Sequence, residues 1–329
     1  MMDRRAFVIG MGSGLLASPL AAEGQPAGRL PRIGVLVTSA PPNHLEMDAF
    51  RQGLRELGHV EGRNALLDIR SSEGYVDRWP DLLAELLRIP VDVIVVPTTG
   101  AALAAKRATK TIPIVASTAG ALVEAGVVAS LARPGGNVTG LTNNQVELSA
   151  KRLELLKEAV PTLSRVAALA SPFRPPSMGE IFVRQTETAA RALNLRLDLV
   201  RVERSDDLAG AFQAATRARA GAVIVIANPF FGVHATRVAE LALQHKLPMI
   251  AQDPSIVEAG GLMHYGVHLA DAWRHSATYV DRILKGAKPA DLPVEQPTTF
   301  ELIINLKTAK ALGLTIPPSL LGRADKLIQ

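Results

Sequence analysis

The chain has no cysteine, which excludes disulfides, thiol nucleophiles, thiolate-held zinc and a lipid-modified N-terminal cysteine. Aromatic residues make up only 4% of it, so those that fall in loops carry more weight as contact residues. A basic stripe is also missing. The formal charge is +5 over 329 residues, with Lys and Arg interspersed among Asp and Glu, and this argues against nucleic acid as a partner. Nucleophile elbows, Lys-Ser/Thr phosphate loops and kinase signatures are absent, so nothing marks the chain as an enzyme. His264, His268, Asp271 and His275 form the best grouping of metal-ligand chemistry. Gly266 interrupts the helical spacing that a metal pair needs, so the expectation is structural or surface histidines, with no metal and no cofactor.

What is present is a globular composition, 48% apolar and 20% charged, enough to fill two α/β lobes. The N-terminus reads as an export signal over residues 1–22. Arg4 and Arg5 precede a weakly polar run from Phe7 to Ala22, short of the ~20 apolar residues that a membrane span requires. Arg4-Arg5-Ala6-Phe7-Val8 resembles the twin-arginine pattern, with Asp3 where Ser or Thr is usual. Twin-arginine export and general secretion both fit.

The mature chain alternates strand and helix patterns, which predicts parallel sheets with helices on both faces. One unit occurs twice. Asp92-Val-Ile-Val-Val-Pro-Thr-Thr-Gly100 is a buried strand feeding a helix N-terminus, and Ala222-Val-Ile-Val-Ile226 leads through Asn228-Pro229-Phe230-Phe231 into another helix. Pro-headed strands, Ile112–Ala116 and Leu247–Ala251, follow, and then the same tetrapeptide, Val123–Gly126 and Val257–Gly260. The first tetrapeptide is expected within a helix reaching Leu131. Polar or Pro-rich stretches near Thr142–Gln145, Tyr265–His268 and Pro289–Thr299 suit three crossings between lobes. The expected lobes are 32–142 plus 267–290 and 143–266 plus 298–329.

Ligands of open α/β sheets sit at the carboxyl ends of strands. That rim takes Thr38, Ser39, Tyr75, Thr98, Thr99, Ser117 and Thr118 from the first lobe. From the second it takes Asn143, Phe173, Asn228, Phe230, Phe231, Gln252 and Asp253. Hydroxyls and free N–H groups at a helix N-terminus suit a carboxylate, Asp253 suits an ammonium, and the aromatics suit an apolar body.

Several strings resemble the ABC-transporter substrate-binding proteins of the tryptophan/tyrosine-type group. They are Phe50-Arg-Gln-Gly-Leu-Arg-Glu-Leu-Gly58, Leu131-Ala-Arg-Pro-Gly-Gly-Asn-Val-Thr-Gly-Leu141, Arg152-Leu-Glu-Leu-Leu-Lys157, Val257-Glu-Ala-Gly-Gly-Leu-Met263 and Ile304–Pro318. The resemblance covers nearly all of the chain from Arg32 onward. It implies a type I periplasmic-binding-protein architecture, two Rossmann-like lobes joined by three hinge crossings. It also implies a periplasmic, monomeric capture protein that delivers a small-molecule solute to a membrane permease and its ATPase, touching the membrane complex only peripherally. The chain departs from the group where members carry Asp-Pro, here Thr118-Ala119-Gly120-Ala121, and where an aromatic-glycine pair is common, here Gln252-Asp253. A ligand-sensing module of a membrane receptor shares this fold and stays an alternative. A doubly wound enzyme is the third, without a phosphate loop or paired catalytic carboxylates behind it.

Overall fold

Charge-free β-branched runs such as Val93–Val96 are buried along their whole length, the state that a parallel sheet covered on both faces requires. The computed structural model describes residues 29–38, 45–143, 145–172 and 176–329. The export segment, Ser39 and Phe173 therefore lie outside the described residues.

The first sheet is parallel, in the order β2 (Leu66–Ser71), β1 (Arg32–Val37), β3 (Val93–Val96), β4 (Ile114–Ala119), β5 (Val138–Thr142). Successive side chains alternate between its faces. Ile33, Val35, Val93 and Val95 pack under α1 (Leu45–Glu56) and α10 (Leu269–Leu284). Leu36, Ile94 and Val96 pack under α2 (Trp79–Leu87) and α3 (Thr99–Ala108). The second sheet runs β12 (Lys326–Ile328), β11 (Phe300–Asn305), β10 (Met263–Val267), β9 (Met249–Ala251), β8 (Ala222–Val225), β6 (Arg165–Ala170), β7 (Arg196–Arg201). One of its faces carries α4 (Gln145–Ala159) and α5 (Pro176–Ala192). The other carries α6 (Asp207–Arg217), α7 (Pro229–Val233) and α8 (Ala235–Gln244). The short α9 (Pro254–Glu258) follows β9.

The chain passes between the sheets three times. It leaves the first after β5, leaves the second after β10, and returns to the second at β11. Between the last two passages α10 lies on α1 and on the first sheet. Gly53 makes this possible, because a Cβ there would overlap the Arg274 carbonyl and come within 2.9 Å of Ala277 Cβ. Phe50 and Trp273 meet edge-to-face across the same contact, centroids 6.0 Å apart. The passages run side by side, with Thr142 N–H donating to Glu295 O (2.9 Å) and Glu295 N–H donating to Gly140 O (3.0 Å).

Three expectations change. β11 is antiparallel to β10, with Val267 opposite Phe300, because the chain leaves and re-enters the second sheet at the same end. Residues 122–131 form turns rather than a helix. Ala125 N–H bonds Ala121 O at 2.9 Å, but Gly126 then takes a φ of +68°, a left-handed stop that closes the turn. Its counterpart Gly260 does the same after α9, at φ +118°. Ser117 and Thr118 belong to β4 rather than to a loop.

Gly53→Ala should push α1 away from α10 and cost about 1–3 kcal/mol of stability, measured by urea unfolding. A neutral result would show that the two helices do not share this close contact.

Candidate functional site

Each sheet reverses its strand order once, between β1 and β3 and again between β6 and β8. The crevice outside such a reversal is where ligands bind in doubly wound sheets. A cavity of about 130 Å³ is lined by residues following β1, β3 and β4 of one sheet and β8 and β9 of the other. For scale, a dry protein cavity of roughly 150 Å³ admits benzene.

Of the residues expected in the rim, Thr38, Thr98, Thr99, Thr118, Asn143, Asn228, Phe231, Gln252 and Asp253 line this cavity. Ser117, Tyr75 and Phe230 do not. Ser117 follows the strand alternation inward and is fully buried. Tyr75 is 52% exposed, on a loop that meets α7, since a Cβ on Gly74 would lie 2.9 Å from Val233 Cγ2. Phe230 packs into the second-sheet core against Phe231, centroids 5.3 Å apart.

Most of the rim hydroxyls already have work within the protein. Thr98 caps α3, its Oγ1 accepting from Ala101 N–H at 3.2 Å. The Thr99 hydroxyl donates to Gly120 O, and that of Thr118 to Pro97 O at 2.7 Å, tying the β3 and β4 exits together. Asn143 Nδ2 donates to Thr118 O at 2.5 Å. What α3 still offers is the first-turn N–H groups that Thr98 does not take, together with the positive end of its dipole. In the second lobe Asn228 caps α7, accepting from Phe230 N–H (2.9 Å) and donating to Pro172 O (2.9 Å). Asp253 caps α9 through Oδ1, which accepts from Ser255 N–H (3.0 Å) and Ser255 Oγ (2.6 Å).

Glu46, Phe182, Leu269 and Trp273 also line the cavity and escaped the reading of the sequence. Glu46 lies in the first turn of α1. Burial first, and then the charge of Asp253 across the cavity, push its carboxyl up to about 7. Leu269 and Trp273 are four apart on α10, hence on one face, and that helix begins directly at a crossing. The crossing is the signal that could have placed them. With Phe182, Phe231 and Ile256 they make the body of the cavity apolar.

The histidines weighed as metal ligands do not converge. His264 is wholly buried in β10, 3.6 Å from Glu301 Oε1. His268 sits at the start of α10 beside Asp271 (3.0 Å), and His275 meets Glu295 (2.8 Å). Among the described residues no group of three ligating side chains occurs.

Residues 32–328 match a family model described as ABC transporter substrate binding protein. A tyrosine-binding protein of Clostridioides difficile (strain R20291) is 27% identical over 278 residues, 82% of this chain and 78% of that protein. An ABC domain from Streptococcus pneumonia, solved in complex with L-Trp, shares 28% identity at a TM-score of 0.83 over 91% of this chain and 100% of that one. A conserved domain protein of Vibrio cholerae is similar at 27% identity and a TM-score of 0.82, again over 91% and 100%.

The two tryptophans separate cleanly, Trp273 in the cavity lining and Trp79 in the core under α2. A non-fluorescent solute that fills the cavity should change tryptophan emission in Trp79→Phe as in the parent chain, and not in Trp273→Phe. A signal that survived in Trp273→Phe would place binding elsewhere.

Proposed function

The chain belongs to the ABC transporter substrate-binding protein family, and we propose that it captures a small amino acid-like solute between its lobes for an ABC importer. The observation that carries this reading is the position of the cavity. It lies between the strand-order reversals of two sheets and takes its lining from both. A solute can therefore gain contacts on closing that neither lobe offers alone, which is the differential affinity that a hinged binder needs.

The lining suits an amino acid with a bulky apolar or aromatic side chain. First-turn N–H groups of α3 favour its carboxylate. Phe231, Trp273 and Phe182 favour its side chain, and acidic groups its ammonium. Two relatives above 25% identity, one tyrosine-binding and one holding L-Trp, support the same class. On this reading the chain works outside the cytoplasm as a periplasmic carrier. It hands its solute to a permease driven by an ATPase subunit, and it neither transforms the solute nor needs a cofactor.

A thermal-shift screen of amino acids, aromatic acids and sugars tests the proposal. A true solute at ~1,000 times its Kd adds ~4 kcal/mol to stability, so the melting temperature should rise clearly for aromatic amino acids and stay flat for sugars. No shift with any amino acid at millimolar concentration would overturn the reading, as would product formed from the bound solute.

A further inference from the structure

We infer that the cleft selects solutes carrying a cationic nitrogen, gripped between Glu46 of one lobe and Asp253 of the other. The inference rests on the solute-binding reading above and narrows it. Both carboxyl groups line the one cavity, and each arrives by its own route. Glu46 comes from the first turn of α1, and Asp253 from the cap of α9. Asp253 is held in place, because its Oδ1 accepts from both Ser255 N–H and Ser255 Oγ. Its Oδ2 lies against Gly232, where any Cβ would collide with it. Neither carboxylate has a Lys, Arg or His within ion-pair distance among the described residues.

A second acceptor points the same way. Asn143 is 5% exposed and lines the same cavity. Its Nδ2 is fixed on Thr118 O, which sets the amide's orientation and leaves Oδ1 buried without a donor. Gln252 Oε1 is buried in the same condition. A buried acceptor without a donor is costly, and two facing carboxylates without a counter-ion more so. The group that satisfies all of them is one that carries several N–H donors and a positive charge.

Of the other titratable groups near these elements, His234 follows α7 with its ring against Phe230, centroids 4.6 Å apart, and burial lowers its pKa; several more are held in ion pairs. On α1, Asp48 lies 3.6 Å from Arg51. On α10, Arg274 meets Glu56 (2.8 Å), Asp271 meets His268 (3.0 Å) and His275 meets Glu295 (2.8 Å). In the turn after Tyr75, Arg78 meets Glu73 (2.7 Å). The charge that acts on Glu46 across the cavity is that of Asp253, and burial first, then that charge, raise the Glu46 carboxyl to about 7. In an empty closed cleft a proton on Glu46 relieves the repulsion. A cationic nitrogen replaces that proton, so binding releases it. Raising the pH removes the competing proton, and affinity for a cation should climb as pH rises toward about 7 and level off above. For the same reason the empty protein closes more readily at low pH.

The test uses three probes that share one ring: tyramine, L-tyrosine and 3-(4-hydroxyphenyl)propionate, each titrated calorimetrically. The two amines should bind and the acid should not, with amine affinity roughly tenfold higher at about pH 8 than at about pH 5.5. Glu46→Gln keeps the shape of the side chain. It should weaken amine binding roughly tenfold or more at the higher pH and flatten the profile. Equal binding of the acid, or unchanged amine affinity in Glu46→Gln, overturns the inference and leaves the solute-binding reading standing. Silence from all three probes overturns the aromatic amino acid reading instead. Small-angle scattering of the unliganded protein then decides the carboxylate pair. A radius of gyration that falls on acidification, and is already low in Glu46→Gln, supports it, and one that does not change with pH in the parent chain overturns it.

Discussion

Helix α10 lies so close on α1 that the Arg274 carbonyl occupies the space a Cβ would need at Gly53. Much of the remaining architecture follows from this contact. A helix that is late in the chain but packed on the first lobe obliges the backbone to leave the second sheet after Val267 and to return at Phe300. Since departure and return occur at one end of that sheet, the returning strand must run antiparallel. The return path lies against β5, bonded through Glu295 to Gly140 and Thr142, so it lies beside the first passage.

The same contact shapes the cavity between the sheets. It sets Trp273 against Phe50 at 6.0 Å while leaving Trp273 in the cavity lining. One side chain thus belongs both to the core of the first lobe and to the wall of the site. The hydroxyls around that wall serve a different end. Those of Thr99 and Thr118 donate to Gly120 O and Pro97 O, holding the exits of neighbouring strands in register. Rim residues that carry hydroxyls are thus mainly braces, while the amide oxygens of Asn143 and Gln252 stay buried without a donor.

Legibility from sequence followed the range of the forces involved. Central strands such as Val93–Val96 and Ala222–Val225 were plain, because burial on both faces demands uninterrupted apolar residues. The repeated strand-and-cap unit was plain for the same reason, and with it most of the rim. Ser117 was misplaced because polar residues after Ala116 look like a loop, although β4 continues to Ala119 with a shift in register against β5. The expected helix through residues 122–131 failed on one backbone angle, at Gly126. Glu46 and Trp273 were missed because nothing local marks them. Their place in the cavity depends on how α1 and α10 stack, which is decided by contacts more than 200 residues apart, such as Glu56 with Arg274.

The two copies of the repeated unit show why similarity in plan does not make a symmetric site. Thr98 caps α3, a ten-residue helix, whose aligned peptides present a positive end to the cavity. Asn228 caps α7, which lasts only five residues, too short to build a comparable dipole. Its carbonyl-directed amide instead braces the β6 exit through Pro172. The first copy therefore offers donors, and the second offers Phe231 beside the acid Asp253. A solute with one anionic and one cationic end satisfies both jaws in only one orientation. On the proposal that Glu46 and Asp253 grip a cationic nitrogen, closure depends on the solute in a specific way. Without it, the approach of the lobes brings the carboxylates of Glu46 and Asp253 together with no cation between them, and the charge that completes the cleft must come from the cargo.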